Sequence, residues 1–140
     1  MSRFIVDCSV AMAWHFEEEF DECAMGALQR LKEADAFVPR LFYLEAANAA
    51  LMGERRRGLS QDKSAVFMRL LRSLPIVQDE ADVAVVMDRI LLLARTHGLT
   101  VYDATYLELA ERSGLPLATR DEALRRAAER VGVSLVQGVA

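Results

Sequence analysis

The sequence predicts an α/β domain built on a mostly parallel sheet with helices on both faces. Three observations carry that expectation. Short apolar runs alternate with longer helical patterns from end to end, as in a chain of β–α units. The runs lack polar alternation, as strands buried on both faces do. The 140 residues, 53% hydrophobic and 27% charged, suffice for one real core and exclude a disordered polar tail. No internal repeat, low-complexity tract or linker interrupts them, so residues 1–140 are expected to form one domain.

The first element is a buried strand over Arg3–Asp7. Ser9 then suits the N-cap of a helix through Val10, Ala13 and Trp14. A helix from about Asp21 to Glu33 puts Ala24, Leu28 and Leu31 on one face, and Ala36–Pro39 is a second short strand. The segment Phe42–Arg57 is helical and stops at Gly58, a natural residue just past a helix end. Ser60 caps the next helix, which runs to about Arg72 with Val66, Phe67, Leu70 and Leu71 inward. Pro75–Val77 is a third strand. Asp79 can cap a helix from about Ala81 to His97, ended by Gly98. A further helix starts near Tyr102 or Asp103 and ends at Gly114. Leu115–Ala118 is a fourth strand, Asp121–Val131 a helix, and Val133–Val136 a fifth strand.

No stretch approaches the roughly 20 apolar residues of a membrane-spanning helix. The N-terminus has one basic residue and a short apolar run that ends in an acid, unlike a secretory signal. A cytoplasmic location without membrane contact is expected. Cys8 and Cys23 are not closely spaced, and His15 and His97 do not stand at zinc-finger spacing from them. They read as packed free thiols, with neither disulfide nor zinc. The net charge is −4, whereas nucleic-acid binders usually carry a basic surplus. Arginines nevertheless cluster at Arg55–Arg57 and at Arg120, Arg125, Arg126 and Arg130. Such clusters suit either a solvated helix face or a phosphate backbone.

In open parallel sheets, ligands bind beyond the carboxyl ends of the strands, so acids there bear inspection. Asp7 closes the first strand, and an acid directly after Phe-Ile-Val costs free energy unless paired. Glu45 sits among Leu44, Ala46, Ala47, Ala49 and Ala50, with no wide polar face to solvate it; Asn48 at i+3 shares its side. Asp103 and Asp121 lie at helix starts, where capping alone would also account for them. Asp79, Glu80 and Asp82 suit a helix N-terminal turn, and Glu17–Glu19 a solvated end; neither group is assigned chemistry. Converging carboxylates would raise one another's pKa values. Hard divalent cations relieve that repulsion, and oxygen-only ligation suits Mg²⁺ or Mn²⁺ rather than Zn²⁺. Such ions can activate water for in-line attack on a phosphodiester. No Gly-rich phosphate loop or His-partnered nucleophile points to kinase or acyl-transfer chemistry.

Four segments, in order, resemble the PIN-domain family and, more closely, the VapC-type toxins of bacterial toxin–antitoxin pairs. They are Ile5–Trp14, Val38–Leu51, Leu99–Ala110 and Leu115–Leu124, and the pattern covers essentially the whole chain. The resemblance implies a three-layer α/β/α sandwich with five strands in the order 3-2-1-4-5, so that Asp7 and Asp121 come together. It carries Asp7, Glu45, Asp103 and Asp121 over as the catalytic, Mg²⁺- or Mn²⁺-holding acids, with Ser9 and Thr119 as supporting hydroxyls; Asn48, by its helical spacing from Glu45, is a further supporting candidate. It implies a ribonuclease acting on RNA, a cognate antitoxin and a homodimer. Phe16, Phe20, Phe67 and Met68 look exposed enough to join an interface.

Two alternatives stay open at this stage: a PIN-fold module that sequesters RNA or a protein partner, and a DNA-directed nuclease of the same fold. A phosphoacceptor receiver domain does not fit, because it needs a Lys near a late strand and the lysines are Lys32 and Lys63.

Overall fold

The computed structural model describes residues 3–136. Four short strands, Phe4–Val6 (β1), Ala36–Val38 (β2), Ile76–Gln78 (β3) and Leu117–Ala118 (β4), form a parallel sheet in the order β3-β2-β1-β4. Strand order reverses between β1 and β4, where Ile5 pairs with Leu117 and Val6 with Ala118. The first residues beyond β1 and β4, Asp7 and Thr119, are therefore neighbours, and a crevice between them is a natural ligand site.

Seven helices connect the strands among the described residues: Cys8–His15 (α1), Glu22–Arg30 (α2), Leu41–Arg57 (α3), Gln61–Ser73 (α4), Val83–His97 (α5), Val101–Ser113 (α6) and Glu122–Val131 (α7). A 3-10 turn, Glu17–Glu19, joins α1 to α2. Helix α1 packs on α2 and α3, and α3 on α4; α6 packs between α5 and α7 and lies against β1 and β4. Phe4, Ile5, Val6, Phe42, Tyr106, Leu107, Leu117 and Leu124 are fully buried between these layers. Removing such side chains from water is the main stabilising term.

The expected fifth strand is not formed. Among the described residues, the segment after α7 runs beside the two-residue β4 and makes one parallel bridge, Leu117 to Leu135. The strand β3 also departs from full burial: Ile76 and Val77 are half-buried and Gln78 is exposed, as befits a sheet edge.

Helix starts differ from expectation in an informative way. Asp7, not Ser9, caps α1, its Oδ1 accepting from Val10 N at 3.3 Å. Asp82, not Asp79, caps α5, because the Asp79 carboxylate is engaged by Arg112 (2.6 Å) and Ala81 N. Helix α6 begins at Val101 under a Thr100 cap whose hydroxyl accepts from Asp103 N, so that Asp103 stands in the first turn rather than at the cap. Gly98 takes a left-handed φ of 65° there, a conformation glycine adopts without Cβ strain, and so turns the chain from α5 into α6 within three residues.

Phe67 is buried, as its inward place on α4 implied, and Phe16 is buried too, so neither is free to join an interface, whereas Val66, expected inward, is 56% exposed. Phe16 lies against Gly53, where an added Cβ would stand 2.9 Å from its ring. Phe67 stacks on His15 with centroids 4.4 Å apart. Both rings seal contacts between helices.

Candidate active site

The site grows from the end of β1. Backbone pairing continues past the strand, Asp7 N donating to Ala118 O at 3.1 Å, so that Asp7 faces Thr119 across the ladder. Asp7 is 3% exposed and Thr119 fully buried. Ser9 Oγ donates to Asp7 Oδ1 (2.6 Å) and accepts from Arg120 N (2.9 Å). Thr119 Oγ1 donates to Asp7 Oδ2 (2.5 Å) and accepts from Asp121 N (3.0 Å). Each hydroxyl thus relays one backbone N–H of the β4–α7 turn to one carboxylate oxygen. That pair of relays fixes Asp7 relative to Asp121, whose own Oδ1 caps α7 through Leu124 N (3.0 Å).

Three donors usually lower a carboxyl pKa. Here burial outweighs them and pushes Asp7 up to about 7, with the charge of Asp103 adding to the rise. Asp103 is itself raised, first by burial and then by Asp121. Glu45 is raised by burial and by Asp103, against the opposing hydrogen bond from Tyr106. Asp103 therefore feels or is felt by each of the other three acids, and no cationic side chain figures among the influences on Asp7, Glu45 or Asp103. Cys8, between Asp7 and α3, is 6% exposed. Burial, followed by the charges of Glu45 and Asp7, drives its thiol far above the ordinary range, so it serves as packing rather than as a nucleophile. Neither Cys8 nor Cys23 is in a disulfide.

Tyr106 is a site residue that sequence reasoning missed. Its ring is 1% exposed, and its hydroxyl donates to Glu45 Oε1 at 2.6 Å, tying α6 to α3. The signal was available, since Tyr106 stands three residues after Asp103 and so on the same side of one helix. Asn48 is exposed, and among the described residues no hydrogen bond links it to the four acids. Arg120 pairs with Asp21 (2.8 Å) and Glu19 (3.5 Å), and Arg125 donates to the Thr119 carbonyl; both brace the turn.

The donor set is all oxygen, concentrated in charge, and short of positive counter-charge. Those properties fit a hard divalent cation. Among the described residues no three His, Cys, Asp or Glu side chains already close around one point.

An α/β domain with acids gathered where its strand order reverses is the class that the fold and site define. The chain belongs to the PIN-domain family, whose pattern matches residues 4–130. Among curated relatives it is 32% identical to ribonuclease VapC3 of Pyrobaculum aerophilum over 122 residues, 87% of this chain and 92% of that protein. It is 38% identical to exonuclease VapC9 of the same organism over 126 residues, 87% of this chain and 83% of the other. Its fold is similar to that of Mycobacterium tuberculosis VapC20, a sarcin-ricin loop cleaving toxin, with a TM-score of 0.64, 14% identity, and coverage of 96% of this chain and 98% of that one. The resemblance to VapC-type toxins read from the sequence is matched by these relatives.

Proposed function

We propose that the chain is a Mg²⁺- or Mn²⁺-dependent endoribonuclease and the toxin of a toxin–antitoxin pair. The observation that carries this is Asp7, a buried carboxylate at the end of β1 that shares its surroundings with Asp103 and Glu45, with no cationic side chain among the influences on these three. Two VapC nucleases at 32% and 38% identity support it. Asp7, Glu45, Asp103 and Asp121 would hold the ion. When bound, it supplies counter-charge and a water acidified for in-line attack on a phosphodiester.

The chain's own residues do the positioning. Ser9 and Thr119 keep both Asp7 oxygens oriented, Tyr106 aims Glu45, and the Asp121 cap ties the start of α7 to the site. Such supporting hydrogen bonds often matter nearly as much as the ligands themselves.

A cognate antitoxin and a homodimer complete the reading. The homodimer finds support in an exposed apolar stripe on α5, with Val83 57%, Met87 55% and Leu91 39% exposed at helical spacing. Among the described residues no helix is long and apolar enough to cross a membrane, in keeping with a cytoplasmic setting.

The relative named an exonuclease favours one second reading, attack from strand ends. Linear and circular forms of one structured RNA, incubated with Mn²⁺, separate the two. The proposal expects both forms to be cut and neither to be cut by Asp103→Asn or with a chelator. Cleavage of the linear form alone would replace it with end-directed attack. Equal cleavage by Asp103→Asn would refute the mechanism.

A further inference from the structure

An open groove of about 360 Å³ starts at Glu45 and follows one face of α3 to its C-terminal end. Glu45, Asn48, Met52 and Arg56 recur at helical spacing along it, and Met12 of α1 forms the opposite wall. Gly53 keeps the floor level, since a Cβ there would run into Phe16. At the far end, Arg57 lies over the Phe16 ring and is bound by Glu18 and Glu19, which closes the groove. Arg56, beside it, is exposed and forms no ion pair among the described residues.

We propose that this groove holds the single strand of RNA flanking the scissile phosphate, with Arg56 binding a phosphate at its far end. The inference rests on the nuclease reading for the position of the cut, and deepens it by naming the path. Arg56 stands eleven residue steps along the helix from Glu45, a rise of about 16 Å, enough for on the order of two or three nucleotides of extended strand. The sequence of surfaces suits that ligand. A hard acidic end would take the cation-bound phosphate, the Asn48 amide can donate to and accept from a base edge or ribose hydroxyl, methionines offer apolar contact to base faces, and an unpartnered guanidinium matches a phosphate. A groove this small admits one strand and not a duplex. In a chain of net charge −4, a free arginine at this spot supplies local attraction that the whole molecule lacks.

Arg55 offers a charge-matched control, because it is the adjacent, exposed residue of the same helix end but does not line the groove. The test measures fluorescence anisotropy of a labelled ten-nucleotide single-stranded RNA with the acidic site intact, in Ca²⁺, a hard cation that takes oxygen ligands, and a gel of each sample checks that the RNA stays uncut. Arg56→Ala is expected to weaken binding roughly fivefold, as for an exposed charge contact, and to lower the log–log salt slope by about 0.7, one phosphate's worth on a single strand. Arg55→Ala should change affinity less than about twofold, since that charge meets the phosphate only at long range. Equal effects of the two substitutions, or none from Arg56→Ala, overturn the path, including the case in which the groove takes a protein segment instead. The two readings fail separately. RNA bound through Arg56 by a chain that cuts no RNA would leave the groove and remove the nuclease. Cleavage indifferent to Arg56 would do the reverse.

Discussion

Asp7→Asn removes a charge that the metal-free fold keeps at a cost, and pH exposes that cost. Burial raises the Asp7 pKa from 3.8 to about 7. A difference of about three units, at about 1.4 kcal/mol each, is worth about 4 kcal/mol when fully expressed. The native state binds this proton more tightly than the unfolded chain does. The contribution to stability is therefore fully present below about pH 4 and is lost as pH rises through about 7. Between pH 5 and 8 the expected loss in the wild type is about 2 to 3 kcal/mol. The assay is urea unfolding in chelator at pH 5, 6.5 and 8, for wild type and Asp7→Asn. The variant should lose that portion of the slope and keep a shallower decline of the same sign, because Glu45 and Asp103 are also raised. At pH 8 in chelator the gap between the two proteins should be smallest or reversed. A wild type whose stability is flat or rises from pH 5 to 8 would refute the reasoning, as would a variant with an unchanged slope.

Three further outcomes follow from other contacts. Tyr106→Phe removes only the hydroxyl that aims Glu45, so the Mn²⁺ concentration for half-maximal cleavage should rise about tenfold while thermal stability changes little; an unchanged metal requirement counts against the positioning role. Thr119→Val keeps the shape but strips the donor from Asp7 Oδ2 and the acceptor from Asp121 N, and chemical denaturation should show a loss of about 1 to 3 kcal/mol. Arg112→Ala leaves Glu108, 4% exposed, without the partner that also holds Asp79. The Arg112 side chain is 36% exposed, so the loss should be about 2 kcal/mol rather than the larger cost of breaking a fully buried pair. Denaturation of Arg112→Ala against Arg112→Ala/Glu108→Gln should recover part of it.

Much of this architecture was legible from apolar runs and glycine stops. Gly58, Gly98, Gly114 and Gly132 each end a helix in a left-handed conformation, and Ser60 caps α4 as its place before an apolar periodic stretch implied. Asp7 stood out because an acid after three apolar residues must be accounted for, and the structure accounts for it with Ser9 and Thr119. What could not be read was which of two neighbouring polar residues takes a given helix N-terminus. Asp7 displaced Ser9 as the α1 cap because Ser9 Oγ serves Arg120 N, 111 residues away. Asp82 displaced Asp79 because Arg112 of α6 claims Asp79. Local propensity carries no record of such distant partners. The fifth strand was over-read for a related reason: apolar character shows that Val133–Val136 packs at the sheet, not how much ladder it forms, and among the described residues it meets β4 in one bridge. Tyr106 was missed since a tyrosine at a core position reads as packing until its hydroxyl's partner is known.

Calorimetric titration of Mn²⁺ into the chain at pH 6, in two buffers of different ionisation enthalpy, tests the metal site most directly. The account predicts binding with release of close to one proton, since Asp7 with a pKa of about 7 is mostly protonated there and must ionise to serve as a ligand. Release should fall toward zero at pH 8, and Asp7→Asn should abolish both the release and most of the affinity. Absence of Mn²⁺ binding, or binding by Asp7→Asn equal to wild type, would contradict the account.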